Sequence, residues 1–180
     1  MHGSILVGLK KFVEDNVGPS AWTQILDKAG LSSRLYLSSQ AYPDEEVGKI
    51  VAAGSEITGM PVPVLLETFG TALGEHLVSA YSTLLDPAWK TLDVIERTEH
   101  TIHRVVRLRD PQATPPELFC TRVSADEVTI EYASERKLCI VARGLLRGIA
   151  NHFGEQISVT EERCMLTGAS SCLLSVKQAS

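Results

Sequence analysis

A chain of 180 residues, 44% hydrophobic and 22% charged, has enough apolar material for one domain with a real core, here taken as 1–180. A net charge of −5 and a pI near 5.5 leave no basic footprint for nucleic acid. No apolar run of about 18 residues is present, so no membrane-spanning helix is expected.

The opening MHGSILVGLKKF lacks a basic n-region and a small-residue cleavage site, and reads as a helix of the mature domain of a cytoplasmic protein. In that compartment the four cysteines are thiols or metal ligands before they are disulfides. Ile5, Leu6, Leu9, Phe12 and Val13 recur at helical spacing within 4–17. Gly18-Pro19-Ser20 breaks the chain, and SAWTQILDKAG predicts a helix capped by Ser20 and closed by Gly30. A third helix starts near Pro43-Asp44, with acids in its first turn where the helix dipole favours them. Residues 62–81 predict a fourth helix and 87–108 a long fifth.

After Asp110-Pro111 the character changes. ELFCTRVSADEVTIEYAS predicts two strands around a turn at Ser124-Ala125-Asp126. KLCIVARGLLRGIANHF predicts a helix, and QISVTEERCMLTGASSCLLSVK two more strands around a loop with Gly168. The predicted fold is α+β: a helical N-terminal half over about 1–110, then a strand-rich half over about 111–180, its strands antiparallel and covered by one helix.

Two local patterns carry chemistry. In DVIERTEHTIHRVV, at 100° per residue, His103 falls about 20° from Leu92 and about 60° from Val106, so it lies on the apolar stripe, with His100 at its margin. Such a histidine is a satisfied core residue in the plainest reading. Neutral imidazole is also a common metal ligand, and a lone helical histidine with no other ligand in phase suits an axial haem position better than a zinc site. In EYASERK, read as an extended strand, Tyr132, Ser134 and Arg136 share one face at about 6–7 Å intervals. That is either the polar face of an edge strand or a row of donors for carboxylates, which haem carries as two propionates and which arginine binds with paired bonds.

Taken together these residues resemble the H-NOX (haem–nitric oxide/oxygen binding) family, over essentially the whole chain. The motif Tyr-x-Ser-x-Arg matches Tyr132, Ser134 and Arg136, and the proximal histidine 29 residues earlier matches His103. Met-x-Gly matches Met1, His2 and Gly3, and a Pro-Pro pair matches Pro115 and Pro116. The resemblance implies haem b between the two halves, His103 as iron ligand, the triad on the propionates and Pro116 pressing on the porphyrin. It also implies a non-enzymatic sensor that signals to a separate protein, such as a histidine kinase or a cyclic-di-GMP enzyme.

Family members that hold dioxygen usually carry a distal tyrosine where this chain has Val141. The other positions that resemble the distal wall are Ile5, Leu9, Leu73, Leu77 and Leu145, all apolar. A wall without donors implies binding of NO and CO and poor binding of O₂. A peroxidase would need distal His and Arg groups, which these positions lack.

The tail CMLTGASSC resembles that of a zinc-binding subset, which implies zinc on Cys139, Cys164 and Cys172. Glu161 stands where that subset has its histidine, and is the expected fourth ligand, with water or His152 as the alternatives. Free thiols or a disulfide remain open for these cysteines, and with them a zinc/thiol redox sensor with haem secondary. Cys120 reads as a small buried side chain in a strand.

Overall fold

The computed structural model describes residues 1–111 and 113–179. In the N-terminal half, α1 (Gly3–Asn16) buries Leu6, Leu9, Phe12 and Val13 along the predicted stripe. The helix α2 (Ala21–Lys28) ends before Gly30, which takes the left-handed φ of +70°. Ser20 occupies its N-cap position, but the expected side-chain cap is corrected: the backbone there is already helical and the hydroxyl makes no capping bond.

Helix α3 (Asp44–Thr58) carries Asp44, Glu45 and Glu46 in its first turn, as expected. Glu46 is buried because Arg34 (2.5 Å) and Tyr36 Oη (2.7 Å) donate to its carboxylate. Helix α4 (Val62–Ala80) completes this half, whose core joins Leu6, Ile25, Ile50, Phe69 and Leu73.

The long fifth helix is corrected in two ways. It begins at Thr91, where Asp93 accepts the backbone N–H of Lys90 at 3.1 Å. It then divides into α5 (Thr91–Arg97), a π turn (Glu99–His103) and α6 (Arg104–Arg109). The π turn is marked by the His103 N–H reaching the Thr98 carbonyl at 3.0 Å. One extra residue in the turn breaks the constant 100° step on which the phase of His103 was reckoned. Leu92 and Ile95 consequently pack with the sheet, while His103 turns to the space between the halves.

The C-terminal half holds β1 (Glu117–Ser124), β2 (Glu127–Ala133), α7 (Cys139–His152), β3 (Ile157–Arg163) and β4 (Cys172–Gln178). The strands form an antiparallel sheet of order β1-β2-β4-β3. Its inner face, with Val128, Ile130, Leu174 and Val176, packs with Leu92 and Ile95 of α5 and Leu146 of α7 into a second core. No single helix among the described residues is long and apolar enough to cross a membrane.

Helices α4 and α7 join the two halves at backbone distance. Each brings a Gly-x-x-x-Gly pair, Gly70 with Gly74 and Gly144 with Gly148. A Cβ added at Gly70 would run into the Val141 carbonyl, one at Gly144 into that of Glu67, and one at Gly148 into that of Thr71. Backbone cannot move aside as a side chain can. Gly148→Ala should therefore lower the unfolding free energy by about 1–3 kcal/mol. Gly48→Ala, mid-helix with nothing within 4 Å, should raise it by about 0.5–1 kcal/mol. Urea unfolding of the two variants checks both signs.

Candidate haem site

Between the halves lies a cavity of about 270 Å³ that adjoins a second of about 130 Å³. Together they fall within the range of about 300–1,000 Å³ usual for cofactor pockets. The larger chamber is walled by Ile5 and Leu9 of α1, Leu73 and Leu77 of α4, and Val141 and Leu145 of α7. His103, Pro116, Tyr132, Ser134 and Arg136 line it as well, so every residue expected around haem from the sequence meets in one space. His103, Pro116, Leu77 and Leu145 also line the smaller chamber. The histidines His76, His100 and His152 are exposed and line neither.

The imidazole of His103 is only 14% exposed. Its Nδ1 lies 2.9 Å from Glu99 Oε2, which leaves Nε2 free of that contact. Burial lowers the His103 pKa, against an upward pull from Glu99 and a smaller one from the Pro116 carbonyl. Glu99 feels burial upward, but hydrogen bonds from His103 and Arg107 hold its carboxyl below its usual value. A neutral imidazole beside a carboxylate is the state required of a metal-binding histidine. Sequence reading missed Glu99, although its spacing of four residues from His103 was visible and pairs side chains on a helix.

The strand reading of EYASERK is corrected. Strand β2 ends at Ala133, and Ser134–Lys137 turns, with the Lys137 N–H on the Ser134 carbonyl (3.1 Å) and Lys137 at φ 49°. The three donors still converge, because the turn returns Arg136 toward the cavity and its backbone N–H meets Ser134 Oγ at 3.3 Å. Burial pushes the Tyr132 hydroxyl up to about 12, so it remains a donor. Arg136 is already engaged: Asp44 accepts from its Nε at 2.9 and 3.0 Å, and the Thr114 carbonyl from its Nη1 at 2.7 Å. Asp44 lies 92 residues away and was not foreseen.

Further donors, His2, Ser4, Tyr81 and Thr114, line the larger chamber and were likewise not foreseen there. His2 is engaged, Nδ1 with Ser4 (2.7 Å) and Nε2 with Asp110 (3.8 Å). A nearly apolar slot, one buried imidazole, and a hydroxyl–hydroxyl–guanidinium set fit a flat apolar macrocycle with one metal and two carboxylates.

The sulfurs of Cys139, Cys164 and Cys172 lie within 4.8 Å of one another, all buried. Cys172 Sγ is 3.1 Å from that of Cys139 and 3.8 Å from that of Cys164, too far for disulfides. Burial, reinforced by the neighbouring sulfurs, pushes the Cys139 and Cys164 thiols up. Glu161 is not one of the three but acts on the Cys164 thiol beside them. Its Oε2 accepts from Arg143 at 2.9 Å, while its Oε1 is buried without a hydrogen-bond partner. His152 as a ligand is corrected: it ends the helix that Cys139 begins, roughly 20 Å away at helical rise. Cys120 is half-buried in β1 and touches the Ile95 carbonyl (3.6 Å); burial pushes its thiol up to about 11.

This fold, with a buried histidine between a helical and a strand-rich half, is that of the H-NOX haem domains. An H-NOX protein from S. oneidensis, crystallised in its Fe(II)NO state, superposes with a TM-score of 0.92 at 28% identity, covering 100% of both chains. A variant of T. Tengcongensis H-NOX gives 0.87 at 25% identity, covering 100% of this chain and 98% of that one. A family model described as Haem-NO-binding matches residues 2–161, and the chain belongs to that family, whose members are haem-binding gas-sensor domains. Among curated relatives, soluble guanylate cyclase gcy-31 of Caenorhabditis elegans is 22% identical over 163 residues, or 89% of this chain. Soluble guanylate cyclase gcy-33 of the same organism is 23% identical over 137 residues, or 76% of this chain. The chain spans only 23% and 14% of those two relatives.

Proposed function

We propose that residues 1–180 form one haem b domain that senses nitric oxide and passes the signal, without catalysis of its own, to a separate cytoplasmic protein. A histidine kinase or a cyclic-di-GMP enzyme is the kind of partner we assign. The observation that carries the reading is the buried imidazole of His103, tethered at Nδ1 and lining the same cavity as Tyr132, Ser134 and Arg136. Haem, when bound, supplies an iron with an open position for a diatomic gas. His103 would offer Nε2 to that iron. Tyr132, Ser134 and Arg136 would hold the propionates, with a propionate taking the place of Asp44 on Arg136. Pro116, which lines the same cavity, would lie against the ring.

The distal residues Ile5, Leu9, Leu73, Leu77, Val141 and Leu145 exclude water and give no hydrogen bond. Distal polarity and donors decide which gas a haem retains, so this wall favours NO and CO over O₂.

For the cysteines we propose zinc on Cys139, Cys164 and Cys172, with Glu161 swinging its unpartnered Oε1 in as fourth ligand. A tetrahedral site with bonds of about 2.3 Å sets sulfurs about 3.8 Å apart, close to the spacing here. The redox-sensor alternative is less favoured, since all three sulfurs are buried and none lies at disulfide distance from another.

Three measurements test these roles. His103→Gly should lose the Soret band and regain it with added imidazole; an unchanged band in His103→Gly overturns the ligand assignment. Ferrous protein in air should oxidise without a stable dioxygen spectrum. A stable one that vanishes in Tyr81→Phe would overturn the NO preference and name Tyr81 as the donor. Elemental analysis of protein purified without chelator should give about one zinc per chain, lost in Cys164→Ser. Zinc-free protein with three titratable thiols would reject the site.

A further inference from the structure

The carboxylate of Glu99 is held from three directions. Its Oε2 meets His103 Nδ1 at 2.9 Å and the backbone N–H of Leu118 in β1 at 3.3 Å. Its Oε1 takes the guanidinium of Arg107, one turn beyond His103 on α6. The side chain is 18% exposed, so these partners replace most of its water. The π turn carries both Glu99 and His103, four residues apart. The partner set against Nδ1 is a full carboxylate and not a neutral carbonyl.

An acceptor at one imidazole nitrogen fixes the proton there and raises the basicity of the other. A carboxylate does this more strongly than a carbonyl, because its bond is charge-assisted. We propose that Glu99 is a positioning residue that sets the donor strength of His103: it holds the proton on Nδ1, turns Nε2 into an electron-rich ligand facing the cavity, and is tempered by Arg107. This rests on the reading of His103 as the iron ligand. A richer donor favours the oxidised over the reduced iron and holds the ligand bond more firmly. The pair Glu99–Arg107 therefore tunes how readily the iron–histidine link yields.

The test uses haem-loaded full-length protein. In Glu99→Gln the ferrous iron–histidine stretching band, read by resonance Raman, should fall in frequency. The midpoint potential should rise, and haem affinity should drop about 10–100-fold. Arg107→Met removes the competing cation at a side chain that is 40% exposed, and should shift band and potential in the opposite directions. A purely structural Glu99 would change stability without these opposed shifts. Should Glu99→Gln not fold, Arg107→Met alone decides: an upward band shift supports the proposal and an unmoved band overturns it. Unchanged band and potential in Glu99→Gln, with the band lost in His103→Gly, overturns this proposal alone. A band that survives in His103→Gly overturns the ligand reading and this proposal with it.

Discussion

The contact between α4 and α7 sets the dimensions of everything around it. Where Gly70 and Gly74 meet Gly144 and Gly148, the helices touch through backbone. The larger residues beside these glycines, Leu73 and Leu77 on α4 and Val141 and Leu145 on α7, then face the cavity from both sides. A cavity between two separately packed halves would close under hydrophobic burial unless something rigid fixed its edges. The glycine pairs supply one edge by making the halves as close there as chains can be. The core of α1–α4 and the core of the sheet with α5 and α7 are thereby held at a defined offset. Wall residues keep their places without filling the gap.

Charge is handled in pairs around this apolar space. Asp44 and Arg136 are exposed enough that their ion pair contributes about 0–1 kcal/mol. On the proposed reading a haem propionate replaces Asp44 at little cost, one carboxylate for another on the same guanidinium. The Glu99–His103–Arg107 group is different. Its imidazole and carboxylate are more deeply placed, and removing Glu99 would leave His103 without that partner in a poorly solvated site. The first pair is suited to exchange and the second to permanence, as an entrance and a ligand anchor respectively require.

Much of the fold was legible because its helices and strands obey their periods. Leu6, Leu9, Phe12 and Val13 announce α1, and the turn read at Ser124-Ala125-Asp126 separates β1 from β2, although Ser124 itself still belongs to β1. The π turn was not legible, since one extra residue inside a helix leaves no mark in composition. The strand end at Ala133 was missed for a related reason: the turn depends on a left-handed Lys137, a conformation lysine seldom advertises. The cavity-lining residues were named through the resemblance to the H-NOX family, not through geometry. Phase placed His103 on the apolar stripe by a rule that the π turn breaks. Asp44 could not be found at all, because a partner 92 residues away is fixed only by the packing of the halves.

The two candidate cofactor sites share one piece of chain. Tyr132 is the register partner of Cys172 across β2 and β4, and Cys139 follows Arg136 by a single turn. Cys139 Sγ also points to the Lys137 carbonyl at 3.6 Å, so the turn that presents Arg136 is braced by a sulfur of the cysteine group. Anything that draws these three sulfurs together would stiffen Ser134–Lys137 from below, and anything that pulls on Arg136 would be felt at Cys139. In the same way α7 leads from Cys139 into the glycine contact with α4, carrying Val141 and Leu145 of the wall on the way. Sulfur cluster, carboxylate-binding turn and distal wall are thus successive parts of one short segment. That segment meets the other half of the molecule at the glycine contact with α4.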